Sequence, residues 1–355
     1  MEKGNRRVKR FALLCGIIII LFIILGLKTR LGFAKIILQY SDHTPPVTPP
    51  ARAAVYWQQL ITQKTKGEVE FKNTFGGGLL GEAEIFRGVE SGIADIAWYP
   101  VNPKDGFRLS TISLLPFLDW PSRRGALQIY EKLLSEFPPM KSEWDSVKIL
   151  SISFMLPTHF HMVNPKKVLK FPSDIRGQKI ITTGEHTEII KALKAIPVEV
   201  PIGDWYTALE RGVAQGALNH FGVAYTFGFL PLLKSHTVFG EGGINITPVF
   251  MIMNKSKWEK LPPEIKKVFD APEIKYAWTN KMWELEETET LQKALDFCKE
   301  KQHTFVYLNS KEIKMWREAV KDIINQWIEE NEKQKLPAKK LYERLLQLIE
   351  EQHRK

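Results

Sequence analysis

The chain has 355 residues, 44% hydrophobic and 25% charged, with a formal net charge of +10. That length calls for one large or two medium domains, and that apolar share excludes a disordered chain. Seven basic residues (Lys3, Arg6, Arg7, Lys9, Arg10, Lys28, Arg30) precede position 35 against Glu2 alone, so the rest carries only a mild excess, with no dense basic stripe to hold nucleic acid.

The N-terminus opens with the basic "MEKGNRRVKR". The apolar "FALLCGIIIILFIILGL" follows, unbroken from Phe11 to Leu27. Such a run is a signal peptide or an N-terminal membrane anchor, not a core helix. Gly32 and Ala34 supply small residues for cleavage before Lys35. If residues 11–27 are kept instead, they anchor the chain to the inner membrane. Basic residues ahead of the run place the folded body outside the cytoplasm. The expected location is the periplasm, where ATP- and NAD-dependent enzymes lack their cofactors, and no cofactor is expected. Cys15 lies in the apolar run and Cys298 stands alone. No disulfide, CxxC or Cys/His zinc spacing results, and Cys298 reads as a core thiol.

Beyond Lys35, "KIILQYS" reads as a strand. A Pro-rich loop then feeds a helix with Ala54, Trp57, Leu60 and Ile61 on one face. "EVEFKNTF" is a strand, "GEAEIFRGVESG" a helix, and "IADIAWYP" a buried strand. "RGALQIYEKLLSEFP" and "VKILSISFM" repeat the helix–strand rhythm. "RGQKIITTGEHTEIIKALKAIPVEVP" reads as strand, turn, helix and strand. "GDWYTALERGVAQ" is a helix, with Asp204 as its N-cap, and "GALN" the next strand. From about residue 250 the chain turns largely helical, with "HTFVYLNS" as one more strand. This alternation indicates α/β architecture with mainly parallel sheets and helices on both faces.

Chemistry-bearing motifs are few. Gly76, Gly78 and Gly81 form a G-x-G-x-x-G between strand and helix. No acid sits at the tip of the next strand, so this reads as a glycine-rich turn rather than a dinucleotide site. His159 and His161 share one face of a strand, but a metal needs further ligands and none is expected. No G-x-S-x-G, H-E-x-x-H or P-loop occurs. Aromatic residues gather near element ends: Trp98, Tyr99, Trp120, Phe160, Trp205, Tyr206, Phe221 and Tyr225. Some belong to the core and others to a cleft at the carboxyl ends of parallel strands.

Five blocks carry a resemblance: "FGGGLLGEAEIFRGVESGIADIA", "LLPFLDW", "VNPKKVLKFPSDIRGQKI", "VPIGDWYTALERGVAQGALN" and "MIMNKSKWEKLPPEIKKVF". In this order, behind an export segment, the chain resembles the solute-binding proteins of tripartite ATP-independent periplasmic (TRAP) transporters, the dicarboxylate-binding-protein family. The resemblance implies a two-lobed periplasmic-binding-protein-like fold with a long helix spanning both lobes. It places residues 35–156 plus about 248–287 in lobe I, and 157–247 plus about 288–355 in lobe II. It implies capture of a small organic acid, or a less polar analogue, between the lobes. It also implies delivery to TRAP permease membrane subunits, without enzymatic turnover. A membrane-tethered sensor of the same fold is the alternative, and an exported hydrolase or lyase a third.

This chain departs from the family pattern at three positions. Where the family has Lys-Ile-Arg, with an arginine that forks onto the ligand carboxylate, it reads Lys179-Ile180-Ile181. His159 falls near the place of a second family arginine, and Gln215 replaces a frequent acid. Asn219 matches the family's ligand-contacting asparagine. The ligand site is accordingly expected at Asn219, His159, Ile181, Thr183, Trp205, Tyr99, Trp98 and Phe221, around a ligand less anionic than a dicarboxylate.

Overall fold

The computed structural model describes residues 35–182, 186–200 and 202–354. The expected export or anchor segment, residues 1–34, and Thr183 lie outside the described residues. Among the described residues no helix is long and apolar enough to cross a membrane.

Eleven strands are found among the described residues. They are β1 Ile36–Ser41, β2 Val69–Thr74, β3 Ile96–Pro100, β4 Val147–Phe154, β5 His159–Met162, β6 Lys179–Thr182, β7 Ile196–Glu199, β8 Gly216–Asn219, β9 Ser235–Val238, β10 Pro248–Asn254 and β11 Thr304–Tyr307. They form one sheet of order β2-β1-β3-β10-β4 and another of order β11-β9-β5-β8-β6-β7. Only β10 and β5 run against their neighbours. These two strands each follow a crossing between sheets: β4 leads through residues 155–158 to β5, and β9 leads through 239–247 to β10. A chain that leaves one sheet at its carboxyl edge enters the other from that same edge, so it must run backwards there. The two carboxyl edges therefore face each other, which is where open α/β sheets hold ligands.

The helices follow from local chemistry. Pro49 and Pro50 open the helix Pro49–Lys64, where their missing N–H groups leave no bond unmade. Ala51, Ala54, Trp57 and Ile61 form its buried stripe, and the Trp57 indole donates to the Ile274 carbonyl at 3.1 Å. Past residue 276 the chain runs helical through Ala277–Leu285, a π-helical stretch Glu286–Leu291, and Gln292–Glu300. At 1.5 Å per residue this is roughly 36 Å. Its first part packs in the lobe I core through Trp278, Met282 and Trp283, and its last in lobe II through Ala294 and Cys298. The π stretch sits at the crossing.

Two features depart from the expected layout. Residues 288–355 were expected in lobe II, and Ile313 and Trp316 do pack there. The final helix Ala338–His353 instead buries Leu341, Leu345, Leu348 and Ile349 in the lobe I core, because that amphipathic stripe finds its apolar floor on the helix Arg123–Glu136. Conversely, the loop reading "LLPFLDW" leaves lobe I and sets Phe117 into lobe II against Phe239 and Trp316, with ring centroids 5.2 and 5.7 Å away. Phe117 takes a left-handed φ of 55°, which is uncommon for a non-glycine residue. Its N–H donates to the Ile244 carbonyl at 2.6 Å and its carbonyl accepts from Arg317 at 2.5 Å. The second crossing is held equally closely: Gly243 has φ 62°, and a Cβ there would lie 2.4 Å from the Thr158 carbonyl oxygen.

Candidate ligand-binding cleft

On lobe II the carboxyl edge presents the end of β8, the end of β6 and the start of β5. His159 and Asn219 are register partners across the β5–β8 pair. Asn219 Oδ1 accepts from the His220 backbone N–H at 2.8 Å, and its Nδ2 donor has no partner among the described residues. His159 Nδ1 accepts from the Phe239 N–H at 3.4 Å. The neutral ring therefore carries its proton on Nε2, a second open donor. Burial pushes His159 down to about 3, with the neighbouring His161 and His220 adding to the effect. This imidazole donates without carrying charge.

His220 follows Asn219 and caps the helix Phe221–Thr226, its Nδ1 accepting from the Val223 N–H at 3.2 Å. Burial lowers it to about 3, assisted by the positive charge of Arg123. Arg123 is itself buried and paired with Glu286 and, at 2.7 Å, with Glu287. Its guanidinium also lies 5.3 Å from the Trp283 ring. At the floor, Asn245 gathers three segments. Its Oδ1 accepts from the Thr158 hydroxyl at 2.7 Å and from His186 Nε2 at 3.1 Å, while its Nδ2 donates to the Leu114 carbonyl at 3.3 Å. One side chain thus ties lobe I to both crossings.

On lobe I the tip of β1 carries Asp42, fully buried. Its Oδ1 accepts from the Trp98 indole at 2.9 Å and from the Thr44 N–H at 2.8 Å, and its Oδ2 from the Tyr40 hydroxyl at 2.9 Å. His43 lies against Trp98, ring centroids 4.3 Å apart. Its Nδ1 is buried without a hydrogen-bond partner, and burial lowers its pKa to about 4. The glycine-rich loop closes on this tip: the N–H groups of Gly76 and Gly77 donate to the carbonyls of Thr44 and Asp42. Those amides are therefore not free to cradle a phosphate.

The expected site residues divide. His159, Asn219 and Phe221 come together, with Phe221 packed 5.8 Å from His159 and 4.6 Å from His161. Trp98 reaches the lobe I tip. Tyr99 points to the opposite face of β3, among Phe86, Phe107 and Trp144, and its hydroxyl donates to Asp105 at 2.6 Å. Trp205 is fully buried against Phe229, its indole donating to the Val200 carbonyl at 3.0 Å. Ile181 is fully buried in the same apolar cluster as Trp205 and Phe221. Asp204 precedes its helix but makes no side-chain capping bond. Gln215 lies away from the cleft edge, accepting from the Lys179 N–H at 2.6 Å. The residues absent from the expected set are His43, Arg123, His186, His220 and Asn245. Only the "NHF" step, a polar pair next to Asn219, signals any of them in the sequence.

Comparison with known proteins agrees with this geometry. The family model for bacterial extracellular solute-binding proteins, family 7, matches residues 40–331. A solute-binding protein of Verminephrobacter eiseniae is 24% identical over 216 residues, covering 59% of this chain and 62% of its own. A TRAP periplasmic solute-binding protein from Desulfovibrio salexigens shares the fold with a TM-score of 0.78 at 24% identity, over 89% of this chain and 96% of its own. A marine-metagenome TRAP solute-binding protein specific for aromatic acid ligands gives 0.76 at 22% identity, over 89% and 99%. With two sheets meeting at their carboxyl edges and a family match over most of its length, this chain belongs to the bacterial extracellular solute-binding proteins of family 7, the solute-binding proteins of TRAP transporters.

Proposed function

We propose that this protein captures a small monocarboxylic acid with an aromatic or branched apolar body, and hands it to a TRAP permease in the membrane. The observation that carries this reading is the neutrality of the lobe II edge. His159 Nε2 and Asn219 Nδ2 are open donors without charge, and the place of the family's arginine holds the buried Ile181. Two neutral donors suit one carboxylate. A second carboxylate would need a cation, and Arg123 is already paired with Glu286 and Glu287. Trp98 and His43 on the other edge, their rings tilted 40° to each other, offer an aromatic wall. Related proteins support the same ligand class: one was solved with metahydroxyphenylacetate and another, from Rhodoferax ferrireducens, with copurified benzoate.

In this reading the ligand bridges the two edges and favours the closed arrangement through contacts absent when the lobes part. The basic, apolar N-terminal segment exports the chain, so binding occurs in the periplasm. Native mass spectrometry of the purified protein would identify a retained solute. Calorimetry would then compare aromatic and branched monocarboxylates, their amides and dicarboxylates. Tight binding of monocarboxylates is expected, and preference for dicarboxylates would overturn the proposal.

A further inference from the structure

Behind the cleft edge, on the far side of Phe221 and His161, lobe II brings together a second constellation. The helix Gln292–Glu300 ends in a turn whose Gln302 takes a left-handed φ of 55°. That turn folds His303 back, its N–H donating to the Cys298 carbonyl at 2.9 Å. The next residue, Thr304, donates to the Lys234 carbonyl at 2.9 Å, which aligns β11 with β9 and so delivers His236. The outcome is that His236 Nε2, Cys298 Sγ and His303 Nδ1 all lie within 4.8 Å of one another. His236 Nε2 is 3.0 Å from His303 Nδ1 and 3.5 Å from Cys298 Sγ.

Hydrogen bonding decides which of these nitrogens is bare. The Asn219 carbonyl can only accept, so His161 Nε2, 3.0 Å away, must donate to it. The neutral His161 then has a bare Nδ1, which accepts from His236 Nδ1 at 2.8 Å. His236 therefore carries its proton on Nδ1 and directs a bare Nε2 at Cys298 and His303. A neutral imidazole whose other N–H is fixed by an acceptor is the form that ligates metals. Phe221 and Phe305 flank His236, ring centroids 5.1 and 4.8 Å away, and form an apolar wall.

We propose that His236 Nε2, His303 Nδ1 and the Cys298 thiolate bind a borderline first-row cation, Zn²⁺ being the best match, at a site in lobe II separate from the ligand cleft. Tetrahedral zinc, with Zn–N about 2.0–2.1 Å and Zn–S about 2.3 Å, sets N···N near about 3.3 Å and N···S near about 3.5 Å. The two edges at His236, 3.0 Å to His303 Nδ1 and 3.5 Å to Cys298 Sγ, lie within a few tenths of an ångström of this, and the third edge is within 4.8 Å. Thiolate and imidazole donors select zinc over magnesium or calcium. Binding displaces the thiol proton to solvent and moves the His303 proton from Nδ1, where it donates to the bare His236 Nε2, to its other ring nitrogen. Half-buried His303 marks the side from which the cation enters and water completes the coordination.

The test uses the tag-free mature protein, stripped with chelator and titrated with Zn²⁺. One equivalent should survive desalting and raise the melting temperature. Co²⁺ in its place should give a thiolate-to-cobalt charge-transfer band with tetrahedral d–d absorption. Cys298→Ser should abolish that band and weaken Zn²⁺ at least tenfold. His303→Gln, at a half-buried position that tolerates change, should do the same if the serine variant fails to fold. No retained zinc, or zinc retained equally by folded variants without a charge-transfer band, overturns the proposal.

Discussion

Arg123 of lobe I and Glu286 of the long helix form an ion pair beneath the crossing between lobes, with both side chains almost entirely shielded from water. The pair sits where the helix is π-wound, so it joins the helix to lobe I at the point of least regular geometry. Removing Arg123 leaves Glu286 buried without its cation, at a site where burial already pushes its carboxyl up to about 7. Arg123→Met should therefore lower stability by about 3–5 kcal/mol in urea unfolding. Arg123→Met combined with Glu286→Leu should recover most of that loss. A double variant no better than the single one would show that the pair is not a closed unit.

Ligand affinity should depend on the neutral donors of the lobe II edge. His159→Ala removes one hydrogen bond to an ionised ligand and should weaken an acidic solute by about 1.5–3 kcal/mol in calorimetry. The corresponding amide should lose less. Equal affinity for wild type and variant would take His159 out of the contact set.

Acid should destabilise the protein through its buried histidines, against the opposing effect of one buried carboxylate, Glu286, which burial pushes up to about 7. Burial lowers His43 and His161 to about 4, and His159 and His220 to about 3, from an ordinary 6.5. The unfolded chain takes up these protons near pH 6.5 and the native protein refuses them until roughly pH 3–4. Between those limits these four imidazoles bind more protons in the unfolded state. Glu286, raised to about 7, offsets about one of them, so stability still falls as pH falls. Each histidine contributes up to about 1.4 kcal/mol per pH unit. Urea midpoints at about pH 7 and about pH 5 check this. Coincident midpoints would mean that the imidazoles are charged in the folded state.

The floor of the cleft depends on Asn245, which satisfies Thr158, His186 and Leu114 together. Asn245→Leu keeps the volume and deletes the polar atoms. It should cost about 1–3 kcal/mol of stability for the hydrogen bonds lost at the Thr158 hydroxyl and the Leu114 carbonyl. It should also loosen the crossings, read as a smaller ligand-dependent contraction in solution scattering. Unchanged stability and contraction would leave Asn245 without this role.

Sequence periodicity carried much of the fold. The strand–helix–strand unit from Arg176 to Pro201 was legible because apolar residues at strand spacing give way to helical spacing within it, and β6, the helix Thr187–Ala192 and β7 follow that pattern. The reversal of β5 and β10 was not legible, since direction within a sheet depends on which edge the chain enters from. Trp98 and Tyr99 were indistinguishable as neighbours in one buried strand, and only pleating against Phe86 and Trp144 assigned Tyr99 to the core. Cys298 and His303 read as unrelated because a five-residue separation brings side chains together only if the helix stops between them, and a left-handed Gln302 makes it stop.

By itself, then, the sequence determined the local states: which stretches are strand or helix, which faces are apolar, and that residue 181 carries no arginine. These follow from side-chain spacing along a short piece of chain. Tertiary structure alone decided the meeting of His159 with Asn219, the three-way tie at Asn245 and the convergence of His236, Cys298 and His303. Each of these joins segments far apart in the chain, and their approach is set by how sheets and helices pack.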